Sequence, residues 1–396
     1  MTEALPVKAG SDAGPAVVYS VEEGKRISFG PPSLLALPNG KLLAAFDQAG
    51  PDVKGLNGKK GHDAKRNRWM QGLVLSSGDG GVSWQRVATY PFRRASLFRD
   101  GGDVYLLGEA SGGLCLMRSP DGGSSWSAPM ELTGDLDVWL SPARMESDGD
   151  CWIMACMAPA GGGELGITCW RAPRGASLMN RKAWSQGPVS PPLGVLFAGA
   201  METACGVPWP RSTPAWRHPA LVRLIASGHP WHEGKTLHLL APAACGREHW
   251  ALMARVDLAH LEVKPLSAGE HLPWAWLPLP GGHAKFDILA DEPTRSHVLV
   301  GSRGSSGLAV GKDAERDGHS RRLGAWTSEN LVDWRFCGPV LSGGEGPSGI
   351  RCDPSSAICG NDLVVVCRAG GPGSRNARET TQVLFTRLME FRSRRG

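Results

Sequence analysis

SSGDGGVSW, residues 76–84, returns in altered form at 118–126 as RSPDGGSSW. Ser77, Asp79, Gly81, Ser83 and Trp84 of the first copy match Ser119, Asp121, Gly123, Ser125 and Trp126 of the second, and the copies start 42 residues apart. That spacing is the length of one four-stranded propeller blade. An extended apolar stretch precedes each copy, MQGLVLS in one case and GLCLMRS in the other, so each octamer reads as the turn of a hairpin. Asp and the hydroxyls cap N–H groups inside such a turn, Gly permits positive φ, and Trp folds back over it. A weaker echo, Thr327-x-Glu329-x-Leu331-x-Asp333-Trp334, keeps the final Trp.

Apolar strand, polar turn, apolar strand recurs at 33–46, 96–108, 143–155, 221–242, 286–302 and 355–368. Six such hairpins, roughly one per ~65 residues, predict an all-β chain: a six-bladed β-propeller of four-stranded antiparallel blades. No low-complexity linker divides it. The expected organisation is one propeller domain over 25–396, with residues 1–24 as an extension closing onto it. Two long polar segments, 51–68 and 311–321, are loops of the kind that carry specificity on a rigid scaffold.

Composition narrows the function. Of 396 residues, 53 are Gly, 30 Pro and 15 Trp, which implies many turns and many flat apolar surfaces. The net charge of +5 comes from scattered basic residues rather than a stripe, which argues against a nucleic-acid partner. Ten cysteines show no metal-like spacing and most sit in apolar runs, so they read as small buried hydrophobes; no metal or cofactor is expected. No apolar run is long enough to span a membrane. MTEALPVKAGSDAG lacks a basic segment followed by an apolar one, which reads as cytoplasmic; a leader already removed would instead mean a secreted or periplasmic protein.

The octamers resemble the Asp-box, S-x-D-x-G-x-[ST]-W, of the sialidase superfamily (BNR repeats), and GGDVYLLG, PGGHAKFDIL and RRLGAWTSENLVDW are similar to stretches of bacterial sialidase-like proteins. The resemblance implies a central cleft where arginines clamp a substrate carboxylate, an acidic residue acts as acid/base, and a tyrosine from a late blade is the nucleophile. Two elements depart from that pattern. The Phe-Arg-Ile-Pro motif is matched by Phe29-Gly30-Pro31-Pro32, and Gly30 cannot clamp anything. The tyrosines are Tyr19, Tyr90 and Tyr105, all early in the chain.

The remaining candidates lie where inner strands begin. By position in the resembling family, Asp63 in the first-blade loop is the candidate general acid, helped or replaced by His62, with Arg66 and Arg68 nearby. Arg93 and Arg94 open the second blade and substitute for the missing arginine. Arg217 and His218 precede the fourth inner strand, and Glu202 lies in the loop before them. His283, Lys285 and Asp287 share one side of a strand by alternation. Arg351 and Asp353 precede the last inner strand, and Arg368 ends the next one at a position resembling a clamp arginine. Glu379 and Arg378 follow. The catalytic set is thus Asp63, His62, His283, Asp287, Asp353 and Glu379, and the substrate-binding set Arg93, Arg94, Arg217, His218, Lys285, Arg351 and Arg368.

The expected activity is that of a sialidase-like exo-glycoside hydrolase removing a terminal acidic sugar without a tyrosine nucleophile. One group protonates the leaving oxygen while Asp287, Asp353 or Glu379 activates water, giving inversion. The partner is an acidic glycan. Two other classes stay open: a non-catalytic carbohydrate-binding propeller, and a uronic-acid lyase.

Overall fold

A computed structural model describes residues 14–64, 67–134, 138–140, 144–196, 216–229, 231–232, 236–242, 249–268, 272–274, 276–303, 321–344 and 346–394. The chain is an all-β, six-bladed propeller of four-stranded antiparallel blades. From the axis outward, blade 1 runs Ser33–Ala36, Leu42–Ala49, Arg68–Ser77 and Gln85–Tyr90, with Ser28–Phe29 also pairing to Leu42–Ala49. Blade 2 is Arg93–Asp100, Asp103–Ala110, Gly113–Ser119 and Met130–Glu131; blade 3 is Glu146–Ser147, Cys151–Gly161, Glu164–Pro173 and Ser185–Gln186. Blade 4 begins at Ala220–Val222 and continues through Thr236–Pro242, Trp250–Asp257 and Glu262–Lys264. Asp287–Asp291, Ser296–Ser302, Arg322–Ser328 and Arg335–Ser342 make blade 5. Blade 6 is Arg351–Cys359, Asp362–Ala369 and Gln382–Leu388, and its outer strand is Ala16–Ser20 from the other end of the chain.

Stacked blades bury both faces of each sheet, which explains the near-continuous apolar runs. Leu42–Ala49 is buried along its whole length. Alternation sends Leu42, Ala44 and Phe46 into the seam with blade 6, and Leu43 and Ala45 into the seam with blade 2. Each fully buried Leu in these seams is worth about 1.5–3 kcal/mol.

The octamer turns latch one blade onto the one before it. In the first, Ser77 Oγ and Ser83 Oγ both donate to Asp79, Gly81 N donates to Ser77 Oγ (2.8 Å), and Trp84 Nε1 donates to Gly81 O (3.1 Å). Desolvation would raise the Asp79 carboxyl, but those bonds together outweigh it and hold the group down at about 2. Gly81 has φ 100°, and a β-carbon there would lie 2.1 Å from the Phe385 ring of blade 6. Gly123 (φ 87°) meets Leu43 of blade 1 in the same way. In blade 5 the echo keeps the Trp334 Nε1 to Leu331 O bond (3.0 Å), with Leu331 itself at φ 62°. Asn330, not Glu329, caps that turn, accepting from Val332 N and Asp333 N.

Innermost strands have a free edge on the channel, and neighbouring blades satisfy it. Ser33 Oγ accepts from Leu97 N (2.9 Å), Ser355 Oγ from Leu34 N (3.1 Å), and Asp287 Oδ2 from Ser356 N (2.6 Å). Arg144 of blade 3 reaches across to Ser356 O of blade 6, the blade opposite in the ring, and to Asp287 Oδ2 at 3.3 Å. The channel is thereby bridged below its entrance. None of the described helices is long and apolar enough to cross a membrane.

Candidate active site at the axial face

Inner strands start, and second strands end, on the same face of a propeller. Register brings Arg93 opposite Glu109 in blade 2 and Cys352 opposite Arg368 in blade 6. Both inner strands then slip register, between Arg93 and Ser96 and between Cys352 and Ser355. Bulges of this kind re-aim side chains. Within the bulges Arg94 has φ 52° and Asp353 φ 51°, and at the entrance to blade 4 His218 has φ 44°. Left-handed backbone at three non-glycine residues is strain that clusters at functional sites.

On one wall, Glu109 is buried and organises two arginines. Arg93 Nε lies 2.8 Å and Arg94 Nη1 3.8 Å from its Oε1, while Leu140 N donates to Oε2 at 2.7 Å. Arg93 Nη2 also stands 3.8 Å from Asp63 Oδ2, and Asp63 is buried. Arg94 N donates to Asp47 Oδ1 at 2.7 Å, and its guanidinium sits 4.7 Å over the Trp139 ring. Desolvation pushes the Asp47 and Glu109 carboxyls up, with Arg94 and Arg93 pulling against it.

On the other wall, Arg368 Nε donates to Asp353 Oδ2 at 2.7 Å, and its Nη1 to Phe29 O at 2.9 Å. Lys285 Nζ donates to Pro354 O at 3.2 Å. Burial alone would raise the Asp353 carboxyl, but Arg368, His218 and Lys285 outweigh it and hold the group below its ordinary range. Burial pushes the His218 imidazole down to about 4, Asp353 opposes the fall, and Lys285, Arg94 and Arg368 deepen it. Arg94 acts on His218 and Arg368 on Asp47, so the two walls share one electrostatic field.

Asp63, Arg93, Arg94, His218, Lys285, Asp353 and Arg368 of the expected set therefore come together. His62 does not: strand alternation turns it to solvent, its ring tilted against Trp69 with centroids 4.7 Å apart, while Asp63 faces inward. Residues 280–284 form a turn, so the strand expected through His283 starts only at Asp287; Lys285 and Asp287 still face the same neighbouring strand, at Pro354 and Ser356. Asp287 is occupied between Ser356 and Arg144. Arg217 is exposed. Arg351 turns to the carbonyls of Ser348 and Ile350. Glu379 sits on the rim, paired with Arg375 at 2.6 Å. Arg66, Glu202 and 311–320 of the second long loop lie outside the described residues.

Asp47, Glu109 and Trp139 belong to the site without having been expected there. The signal for the first two was a carboxylate inside an apolar strand, in LLAAFDQA and DVYLLGEA. Deeper in the channel, burial pushes Glu146 up to about 7, against Arg144 and Arg223. Tyr19 packs on Phe29 and Phe46, Tyr105 on Phe98, and Tyr90 is wholly buried against Phe92, so each tyrosine is a packing residue. The described cysteines are buried or half-buried, as at Cys115, whose thiol burial pushes up to about 11.

No family model matches the sequence, and no curated protein does. Solved structures do match. An alpha-L-arabinanase from Penicillium chrysogenum, complexed with arabinobiose, is 14% identical over 96% of this chain and 98% of its own, with a TM-score of 0.52. The Trypanosoma rangeli sialidase in complex with the inhibitor DANA is 12% identical over 96% of this chain, with a TM-score of 0.55; the match spans 58% of that longer protein. The alpha-L-arabinofuranosidase Arb93A from Fusarium graminearum, with an iminosugar inhibitor, is 10% identical over 96% of this chain and 98% of its own, with a TM-score of 0.54. Identity this low carries architecture alone, and the architecture is the six-bladed β-propeller found in a sialidase, an arabinanase and an arabinofuranosidase.

Proposed function

We propose that the protein is a glycoside hydrolase that removes a terminal acidic sugar from a glycan without a tyrosine nucleophile. The observation that carries this reading is a pair of carboxylates on adjoining blades, the buried Asp63 beside Arg93 and the half-buried Asp353 beside Arg368. Asp63 is the general acid to the leaving oxygen. Asp353, kept ionised by Arg368, is the base that activates water or steadies the positive charge developing on the ring. Of the three expected bases, Asp287 and Glu379 are already engaged elsewhere. Arg94, Lys285 and Arg368 ring the place where a substrate carboxylate is held. With the tyrosines packed away, direct attack by water makes the reaction inverting.

The test is fluorescence release from methylumbelliferyl glycosides of sialic acid, glucuronic acid and L-arabinofuranose. Release from an acidic glycoside, abolished by Asp63→Asn and by Asp353→Asn, supports the proposal. Release from the arabinofuranoside alone overturns the acidic specificity and leaves a glycosidase. Glycan binding with no release from any glycoside overturns the enzyme and favours a binding propeller.

A further inference from the structure

A second concavity opens on the same face, over the seam between blades 6 and 1. Its volume is about 990 Å³, at the upper end of the roughly 300–1,000 Å³ usual for ligand sites. Pro51 and residues 67–69 line it together with the segment 372–381, and Lys25, Arg68, Trp69, Arg375, Arg378 and Glu379 are among its lining. With Arg26 added, five cationic side chains face it against the carboxylates Glu22 and Glu379. Arg26 is neutralised by Asp52 (3.1 Å) and Arg375 by Glu379 (2.6 Å), while Lys25, Arg68 and Arg378 make no ion pair among the described residues. Trp69, half-buried and backed by the His62 ring, adds an aromatic surface.

The concavity shares its inner boundary with the axial site. Arg68 is the strand partner of Asp63 and acts on the Asp47 carboxyl. Ser28 and Thr381 of the lining are chain neighbours of Phe29 and Thr380, the two groups that accept from Arg368 Nη1. A glycan whose end residue lies at Asp63 thus has a basic, aromatic-lined path outward in one direction. We infer that this cleft binds the remainder of the substrate, an oligosaccharide carrying anionic groups along its length. The inference rests on the glycosidase reading given above. The excess of unpaired cations selects carboxylated or sulfated chains over neutral ones, and the stacking face explains a sugar rather than a bare anion.

The experiment is calorimetric binding of three hexasaccharides, oligogalacturonate, a heparin fragment and maltohexaose, to the full chain. It is repeated in the Asp63→Asn protein so that turnover does not enter. At least one anionic oligomer is expected to bind more tightly than maltohexaose, and which one identifies the anionic group. Combining Lys25→Ser, Arg68→Ser and Arg378→Ser should weaken that binding roughly tenfold, as should raised salt. All three side chains are exposed, and Arg378→Glu alone serves as a second variant if the triple change disturbs folding. Equal binding of maltohexaose, unchanged affinity in the variants, or no binding by any oligomer overturns the inference. Failure of the hydrolysis assay leaves this binding result untouched, so the two readings fail separately.

Discussion

The carboxylate of Asp47 fills the space that any side chain on Gly30 would need: a β-carbon built there lies 2.4 Å from Asp47 Oδ1 and 2.6 Å from Oδ2. Where the resembling proteins carry a clamp arginine, this chain carries a glycine and a carboxylate that exclude anything larger. Gly30→Ala should therefore cost about 1–3 kcal/mol by overpacking. Adding Asp47→Gly should recover part of that loss, giving a non-additive cycle in urea denaturation. Strict additivity of the two single changes would show that they do not share the space.

The architecture was legible because its signals are local. The octamer encodes its own hydrogen bonds at Ser77, Asp79 and Gly81, and two copies reveal the period. The site was only half legible. Arg93 and Arg368 stand at strand ends, where a period places them, but the bulges and left-handed backbone that aim Arg94, His218 and Asp353 leave no mark in composition or alternation. Asp47 and Glu109 were concealed because their strands read as core. Adjacent His62 and Asp63 look like one unit in sequence, yet a pleated strand must send them to opposite sides.

Asp63 and Glu109 both contact Arg93, and their removal should have different consequences. Asp63→Asn leaves Arg93 its 2.8 Å contact with Glu109, so folding survives with a change within about 1 kcal/mol, while turnover of a glycoside that the wild type cleaves falls roughly 10²–10⁴-fold. Glu109→Leu strands two arginines at once and should cost about 3–5 kcal/mol. Melting curves and initial rates on both variants check this. An Asp63→Asn protein as fast as wild type removes Asp63 from the chemistry.

The octamer is an inter-blade latch, and its glycine is the contact point. Gly81→Ala meets both a φ of 100° and the Phe385 ring at 2.1 Å, and an expected loss of about 1–3 kcal/mol follows. Gly78→Ala, where a β-carbon has nothing within 4 Å, should be nearly silent. Equal melting temperatures for the two variants would contradict the latch.

Acid sensitivity should arise at the seam between blades 4 and 5, in addition to that of His218 at the axial site. His238 is buried, with neither ring nitrogen hydrogen-bonded among the described residues. Desolvation pushes its imidazole down to about 4, and His229, His297, His232 and Arg255 add repulsion. His297, in the adjoining strand of blade 5, is lowered as well, again mainly by burial. A histidine with a depressed folded pKa is neutral in the native state while the unfolded chain takes up a proton near 6.5, so the unfolded state binds more protons between those values. Stability is therefore full above about 6.5, declines as pH falls toward 4, and has lost this contribution, about 3 kcal/mol for His238, below that. His238→Leu removes the penalty and keeps the apolar packing, so its melting temperature should fall less than that of the wild type between pH 7 and pH 4. Parallel acid profiles for the two proteins would place the sensitivity elsewhere.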